Sequence, residues 1–461
     1  MAWVISWNWS DWTDWSHRKK KTKQFVSAYI YRISIYIIVF FFFLLNFHAA
    51  SHPHLWLYKL SKLVELALLG IYVAKTAKTK NDLQKIINFL LIGAVFQSLL
   101  AIFQFFKQAS IGGIFWWLGE RTFNITTPGI AKTALRNPFN GSQRLFLRPY
   151  GTFSHPNSLA GHLLVVLILT LGLTKTQKNK RLNPNVKIQS SNKQSLILAN
   201  TRNKQSLISL RSNQAQSSKL KKKFSHLGVG FDLSFELCHL ILPTAIILIA
   251  LALSFSRSAW LVGIILLGIS YLGHLRSLGK QKKSRFIPIF LILILYTIYY
   301  ILYTCSISDP QNFQKRWQLT LSAWQMFKNN PFFGIGLGHF IPKLAQFPQK
   351  GQIFWLQPVH NIFLLVMAET GLAGLGIFLG VLGATYKRLV YGIGYMVYGI
   401  KGKKKTLKEY YILHTTYYIL LSLSAILLLG LFDHYWLTLQ QNQLLFALIL
   451  GLCWTHFNSK A

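Results

Sequence analysis

The sequence predicts an all-α fold, a polytopic integral membrane bundle of about ten transmembrane helices. Three observations predict it. Of the 461 residues, 52% are hydrophobic and only 13% are charged. Apolar runs such as Ile287–Tyr303 and Tyr411–Phe432 are long enough to cross a hydrocarbon core of about 30 Å. The lysines and arginines behind the formal net charge of +39 gather between the apolar runs, as they do in membrane proteins.

The N-terminal segment is aromatic and polar and ends in the basic cluster around Lys20. No small-residue cleavage site follows the first apolar run, so we expect an uncleaved first span at about 25–47. In the second span, Lys62 and Glu65 lie three residues apart on one helix face, and we expect them to pair. The spans after the first are predicted at about 55–74, 84–107, 157–174, 236–254, 258–274, 287–304, 359–385, 411–432 and 441–456.

The spaces between the spans set the expected topology. Segment 175–235 is rich in Lys, Asn, Gln and Ser, and we expect a flexible basic loop because it has little apolar surface to bury. The positive-inside rule then places this loop and both termini in the cytoplasm, with 108–156 and the long loop at about 305–358 outside the plasma membrane. We divide the chain into an N-terminal membrane region, 1–147, of about three spans, and a membrane domain, 148–456, that the basic loop interrupts.

Several function classes are excluded by what the sequence lacks. The 3 cysteines are far apart and suggest neither a disulfide framework nor a zinc site. There is no Walker loop, no Gly-x-Gly-x-x-Gly after a strand and no Asp-x-Asp pair. Membrane topology accounts for the basic residues, so we expect no nucleic-acid partner. We likewise expect no metal and no cofactor.

Arginines on the outer side need a reason under this topology. Arg257 lies at the junction of two long spans, and Arg148 and Arg316 lie in the outer segments. Two interpretations of Arg257 stay open: its side chain either snorkels to lipid head groups or clamps an anion. Because a guanidinium matches phosphate oxygens bidentately, a cluster of the three would suit a pyrophosphate at the membrane surface.

His360 is the candidate general base. It begins a span directly after a polar loop, with Asn361 beside it and Glu369 nine residues further along the helix. An imidazole can accept a proton near neutral pH, although a helix-end histidine that bonds to the backbone is the alternative interpretation. His434 is a further candidate on the same side.

The segment before this loop combines an aromatic helix with a glycine-rich turn. Pro331 cannot continue the preceding helix, and Gly334, Gly336 and Gly338 permit backbone conformations that other residues avoid. We expect the aromatic and apolar stripe on that helix to pack against the bundle. Its residues are Trp317, Trp324, Met326 and Phe327.

Four motifs, in this order along the chain, resemble the superfamily of O-antigen ligases and Wzy-type O-antigen polymerases. They are Arg148-Pro-Tyr-Gly-Thr-Phe with Pro156-Asn157, Arg257 with Leu261, Asn330-Pro331 through Gly338, and His360-Asn361 followed by Gly371. The run Asp433-His434-Tyr435 is similar to the ending of many members. The resemblance covers about 148–453.

The resemblance implies an enzyme that needs neither a metal nor a nucleotide and that inverts the anomeric centre. Its donor would be a glycan on undecaprenyl pyrophosphate, and its acceptor a hydroxyl of a glycan, lipid or protein at the outer face of the plasma membrane. Arg257 and Arg316 would neutralise the pyrophosphate, and His360 would activate the acceptor. The substrate-binding candidates are Arg148, Asn361, Glu369 and His434.

Three functions stay open at this point: a glycan ligase, a polymerase of the same class, and a non-catalytic, transporter-like membrane protein. A transporter is expected to have broken spans with polar residues near the middle of the bilayer. Here the polar residues gather at the ends of the spans, which favours an enzyme. The motifs do not separate a ligase from a polymerase.

Overall fold

Long helices, joined by short helices and a β-hairpin, make up the architecture. It is seen in a computed structural model that describes residues 39–136, 142–181, 241–277, 310–347, 357–398 and 407–455. The helices are α1 (Val39–His48), α2 (Pro53–Thr76), α3 (Lys80–Lys107), α4 (Ile114–Trp117), α5 (Pro156–Arg181), α6 (Ile241–Leu253), α7 (Arg257–Ser277), α8 (Pro310–Asn329), α9 (Phe340–Lys343), α10 (Ile362–Tyr398), α11 (Leu407–Gly430), α12 (Tyr435–Thr438) and α13 (Gln440–Trp454).

The described helices agree with a helical membrane protein. Among the described residues, three helices are long and apolar enough to cross a membrane by length and composition: Lys80–Lys107, Ile362–Gly394 and Ile412–Gly430. The span predicted at 287–304, the start of the first span and most of the basic loop lie outside the described residues. The number of spans and the division into two regions stay predictions.

Helix boundaries follow local chemistry. Thr79 and Asp82 form a capping box at the start of α3, in which each side chain accepts the other residue's backbone N–H, at 2.9 and 3.2 Å. The expected pair of Lys62 and Glu65 is confirmed, with 2.7 Å between Nζ and Oε2. Helix α5 continues to Arg181 and α10 to Tyr398, so both run beyond the predicted ends at 174 and 385. The predicted ends lie where polar residues begin, but polar residues such as lysine and glutamine are good helix formers and let a helix continue.

The core lies around α5, which packs against α3, α7 and α11. Residues 163–169 of α5 are completely or almost completely buried, as expected for a central helix that is apolar on every side. Helix α13 packs against α2, where Gly70 faces Gly451. A Cβ atom on Gly451 would lie 2.6 Å from the carbonyl oxygen of Gly70, so this crossing needs a glycine.

An antiparallel hairpin, absent from the predicted all-α fold, precedes α5. Strand β1 (Lys132–Arg136) pairs with β2 (Gln143–Leu147), with Lys132 opposite Leu147. Leu147 is buried with Phe123 and Tyr150 in a small separate cluster. Each strand has only five residues, which is too short for apolar alternation to stand out in a polar segment.

Helix α8 and the glycine-rich turn occupy the segment predicted as a long loop. The helix ends at Asn329, directly before Pro331, which confirms the predicted helix stop. The φ angles of Gly334, Gly336 and Gly338 are 69, 104 and 77°, in the left-handed region. This turn lies against a break in α10 at Gly371 and supplies partners for the backbone groups that the break frees: Ile335 N donates to Ala368 O and Leu372 N to Pro331 O.

The expected packing of the aromatic stripe on α8 is wrong for its two tryptophans. Trp317 is 55% exposed and Trp324 is 44% exposed, whereas Met326 is fully buried. The buried face consists of Leu319, Ala323 and Met326, spaced four and three residues apart. The two tryptophans are two helical turns apart on the opposite face. The prediction failed because the spacing of aromatic residues alone does not say which face of a helix meets the core.

Candidate functional site

Polar side chains from five segments meet where the ends of several helices come together. The segments are the loop before α5, the junction of α6 and α7, the middle of α8, the turn before α10, and the junction of α11 and α12. The residues are Arg148, His155, Asn157, Arg257, Arg316, His360, Asn361, Asp433 and His434. We call this set the arginine–histidine centre.

Asp433 is the acidic member of the centre and is only 5% exposed. Its Oδ2 accepts the Asn157 amide at 3.0 Å, and its Oδ1 accepts the backbone N–H of His434 at 2.9 Å. Burial alone would raise the pKa of this carboxyl. The neighbouring imidazoles of His434 and His360 and the guanidinium of Arg316 outweigh burial and hold the pKa well below its usual range. The centre therefore contains a buried negative charge.

Arg148 is tied to this carboxylate through one intermediate. Its Nη2 donates to Asn157 Oδ1 at 2.6 Å, and its Nε donates to the Ser254 carbonyl at 2.8 Å. Burial, together with the charges of Arg257 and Arg316, lowers the pKa of Arg148 to about 10. Arg148 is still a cation at neutral pH. Through these hydrogen bonds Arg148 connects the end of α6 with the start of α5 and, by way of Asn157, with the junction of α11 and α12.

Of the other two guanidiniums, Arg316 is the more open to solvent. Arg257 is the first residue of α7 and is half-buried, while Arg316 on α8 is exposed. Arg316 Nη1 donates to the carbonyl of Phe432, the residue before Asp433, at 3.1 Å. Since both charges act on Arg148, the structure brings the three sequence-predicted arginines together. With one carboxylate among three cations, the centre favours an anionic ligand.

His360 lies half-buried in the turn before α10. Its Nδ1 is buried and has no hydrogen-bond partner among the residues that the structure describes. The alternative of a ring nitrogen bonded to backbone therefore does not apply to Nδ1. Burial lowers the pKa of His360 to about 3, so the ring is neutral near pH 7 and its nitrogen can accept a proton.

His434 and Asn361 complete the surroundings of His360. The His360 and His434 rings meet edge to face, with centroids 5.3 Å apart. His434 Nδ1 lies 2.7 Å from Thr438 Oγ1, and its Nε2 lies 4.0 Å from Asp433 Oδ1. Asn361 caps α10: its Oδ1 accepts two backbone N–H groups at 2.9 and 3.0 Å, and its Nδ2 donates to the Leu431 carbonyl at 3.2 Å. Asn361 thus fixes His360 relative to the end of α11.

Glu369 is not brought into this set of contacts. Its carboxylate accepts the backbone N–H groups of Gly338 and Phe340 at 2.9 and 3.2 Å. Its own carbonyl accepts the Asn46 amide at 2.9 Å, which links α1 to the glycine-rich turn. These contacts give Glu369 a place in holding the turn against α10. The substrate-binding role suggested by sequence stays a prediction.

Three donor atoms in the centre are close enough to surround one cation. One ligand atom each from His360, Asp433 and His434 lies within 4.8 Å of the others. However, Asp433 already accepts two hydrogen bonds, Arg316 acts on both Asp433 and His360, and Arg148 is bonded to Asp433 through Asn157. This positive potential opposes a divalent cation and supports an anion.

Two members of the centre, Asp433 and Asn157, were given no role by sequence reasoning, although both lie inside the motifs. Asn157 connects Arg148 to Asp433, and its backbone N–H also donates to His155 Nδ1 at 3.1 Å. Burial lowers the pKa of His155 to about 4, so this ring is neutral at neutral pH. An acidic residue at the end of a long apolar run, as Asp433 is, was the available signal.

Comparison with known proteins points to the same part of the chain. No curated protein matches the sequence. A family model described as O-antigen ligase, Wzy_C, matches residues 242–379, which contain Arg257, Arg316 and His360. Arg148 and Asp433 lie outside the matched segment, on either side of it, and join the same centre in the structure. Over residues 242–379 the chain therefore carries a domain of the O-antigen ligase family, Wzy_C.

Proposed function

We propose that the protein transfers a glycan from an undecaprenyl-pyrophosphate donor to an acceptor hydroxyl at the outer face of the plasma membrane. The family of residues 242–379 supports glycan transfer of the ligase or polymerase type from a lipid-linked substrate. One observation carries the proposal most directly. Two guanidiniums, Arg148 and Arg316, interact with one buried carboxylate, a third, Arg257, acts on Arg148, and an imidazole nitrogen beside them has no partner among the described residues.

The arginines act on the leaving group. As the bond between the anomeric carbon and the phosphate oxygen breaks, its electron pair goes to the pyrophosphate. Arg257, which is half-buried, and Arg316, which is exposed, neutralise that growing charge. Arg148, whose Nε and Nη2 are already engaged within the protein, adds fixed positive potential. A pyrophosphate diester is a dianion, and the centre has two more positive than negative charges.

His360 acts on the acceptor. The acceptor oxygen attacks the anomeric carbon from the side opposite the leaving group, which inverts that centre. Its proton passes to a ring nitrogen of His360. The resulting imidazolium is stabilised by the Asp433 carboxylate, which attracts the positive charge of the same ring. A bound dianionic donor would raise the pKa of His360 in the same way and make it a better base.

The test is reconstitution of the purified protein in lipid with an undecaprenyl-pyrophosphate glycan and separate candidate acceptors. Products are sized by gel electrophoresis and mass spectrometry. Transfer of one glycan to a lipid, glycan or protein acceptor supports the ligase reaction. A ladder of longer lipid-linked glycans would identify a polymerase, and no product from folded protein with any acceptor would refute glycan transfer.

A further inference from the structure

The loop that carries Arg148 lies between β2 and α5 and has no regular secondary structure, yet every backbone N–H from Leu147 to Phe153 has a partner. Leu147 N donates to Gln108 Oε1 at 2.8 Å, and Arg148 N donates to a carbonyl of the preceding segment at 3.0 Å. Pro149 has no N–H. Tyr150 N and Gly151 N share Gln104 Oε1 at 3.0 and 2.8 Å, and Thr152 N donates to Gln97 Oε1 at 2.9 Å.

Two glutamines of α3 and the residue that caps its C-terminal end therefore provide most of these partners. Gln97, Gln104 and Gln108 are spaced seven and four residues apart, which places them on one face of the helix. Gln97 and Gln104 are about 10 Å apart along one continuous helix, and Gln108 directly follows the last residue of that helix. A straight helix that holds a loop at three points fixes the position of that loop, and we call the three residues the glutamine ladder.

Gln104 is the central member and is completely buried. Its Nε2 donates to Glu120 Oε1 at 2.8 Å and to the Gly151 carbonyl at 3.0 Å. Glu120 is also buried, and its two oxygens accept the backbone N–H groups of Ile111 and Gly112 at 2.7 Å each. A buried amide is tolerated only when it is bonded, and Gln104 uses both its donor and its acceptor groups.

The geometry points to a role for the glutamine ladder that goes beyond holding the fold. We propose that Gln104, supported by Glu120, is a positioning residue that sets the place of the Arg148 guanidinium and thereby the affinity for the donor pyrophosphate. Arg148 transmits the placement, since its Nη2 bonds to Asn157, which bonds to Asp433. This inference rests on the proposed function and assigns part of the donor site to α3, outside residues 242–379.

The test compares Gln104→Leu with the unaltered full-length protein in lipid, using binding of undecaprenyl pyrophosphate as the first readout. We expect the dissociation constant to rise on the order of tenfold, because the loop loses the partner of two N–H groups. The same change is then made together with Arg148→Lys. If Gln104 acts through Arg148, it changes the constant by less than about twofold in that background.

Two further variants separate positioning from general damage. Thr385→Val removes a buried polar group on α10 whose Oγ1 accepts the Trp454 indole N–H at 3.0 Å, and donor binding should not change. The exchange Glu120→Gln keeps the shape of the side chain that supports Gln104 but removes one of the two oxygens that accept the Gln104 amide and the Ile111 and Gly112 N–H groups. It should therefore weaken donor binding in the same direction as Gln104→Leu, but by less. This exchange also tests the inference if Gln104→Leu does not fold.

Equal loss of binding from Gln104→Leu with and without Arg148→Lys would overturn the inference and leave Gln104 a structural residue. Unchanged binding in folded Gln104→Leu would overturn it as well. Failure of the proposed function has a different signature. Unaltered protein that binds undecaprenyl pyrophosphate but transfers nothing would refute glycan transfer while the ladder is still supported by the binding data.

Discussion

Replacing Asp433 with Asn tests how the buried charge contributes to the reaction. The two side chains have nearly the same shape, and Asn keeps an oxygen that can accept the Asn157 amide. The change therefore removes the negative charge and one of the two hydrogen bonds that Asp433 accepts. In the account above, that charge stabilises the imidazolium that His360 becomes when it takes the proton of the acceptor.

The size of the effect follows from distance. The ligand atoms of Asp433 and His360 lie within 4.8 Å of each other. Two unit charges at that separation interact by about 3 kcal/mol at an effective dielectric constant near 20. A loss of this size in the transition state lowers kcat on the order of a hundredfold. The donor KM should fall or stay the same, because the three guanidiniums then attract the donor dianion without a competing carboxylate.

The assay is steady-state transfer with the donor concentration varied, which separates kcat from KM. Glu65→Gln is the matched control, since it also converts a carboxylate to an amide but on the half-exposed face of α2. It should leave both constants unchanged. A kcat of Asp433→Asn within about threefold of the unaltered protein, or a loss seen only as a higher donor KM, would refute the reasoning.

Other predictions concern the arginines, pH and metals. Arg257→Lys keeps the charge but loses bidentate geometry, so donor KM should rise on the order of tenfold. The control Arg388→Lys, in the second half of α10, should have no effect on donor KM. Equal KM values for the two variants would contradict an anion clamp at Arg257. Burial lowers the pKa of His360 to about 3, below the usual 6.5, so the free protein keeps this base neutral from about pH 4 upward. The value of kcat/KM should therefore not fall between pH 7.5 and 5.5, and a half-maximal point near pH 6.5 that disappears in His360→Gln would contradict this. Removal of divalent cations with a chelator should leave the transfer rate unchanged. A loss that one added metal restores would contradict a transfer that needs no metal.

Much of the helical framework could be predicted from the sequence. A long apolar run inside a membrane must bond its own backbone N–H and C=O groups, and an α-helix does this. Arg257 and His360 could be singled out for the same reason: each is a polar residue at the boundary of such a run. The hairpin of β1 and β2 could not, since two strands of five residues leave too weak a pattern.

The connections within the arginine–histidine centre could not be predicted, because they join residues far apart in the chain. Asn157 and Asp433 are 276 positions apart, and only the packing of α5 against α11 brings them together. Glu369 shows the opposite case. It follows His360 by nine residues, but that spacing corresponds to about 13 Å along the helix, and its carboxylate reaches the glycine-rich turn instead.

The glutamine ladder was likewise hidden in the sequence. Gln97, Gln104 and Gln108 lie in or beside a predicted span, where a polar residue gives no sign of which backbone it meets. Their partners, residues 147–152, are about 40 to 55 positions away and form no regular element. Such a contact becomes visible only when each backbone donor of the loop is accounted for.

The central claim is that the arginine–histidine centre carries out glycan transfer with His360 as its base. The most direct measurement is single-turnover transfer by His360→Ala in lipid, beside His54→Ala, which removes an exposed histidine at the start of α2. The account predicts at least a hundredfold slower transfer for His360→Ala, with undecaprenyl-pyrophosphate binding retained, and no change for His54→Ala. Transfer by folded His360→Ala at the rate of the unaltered protein would contradict it.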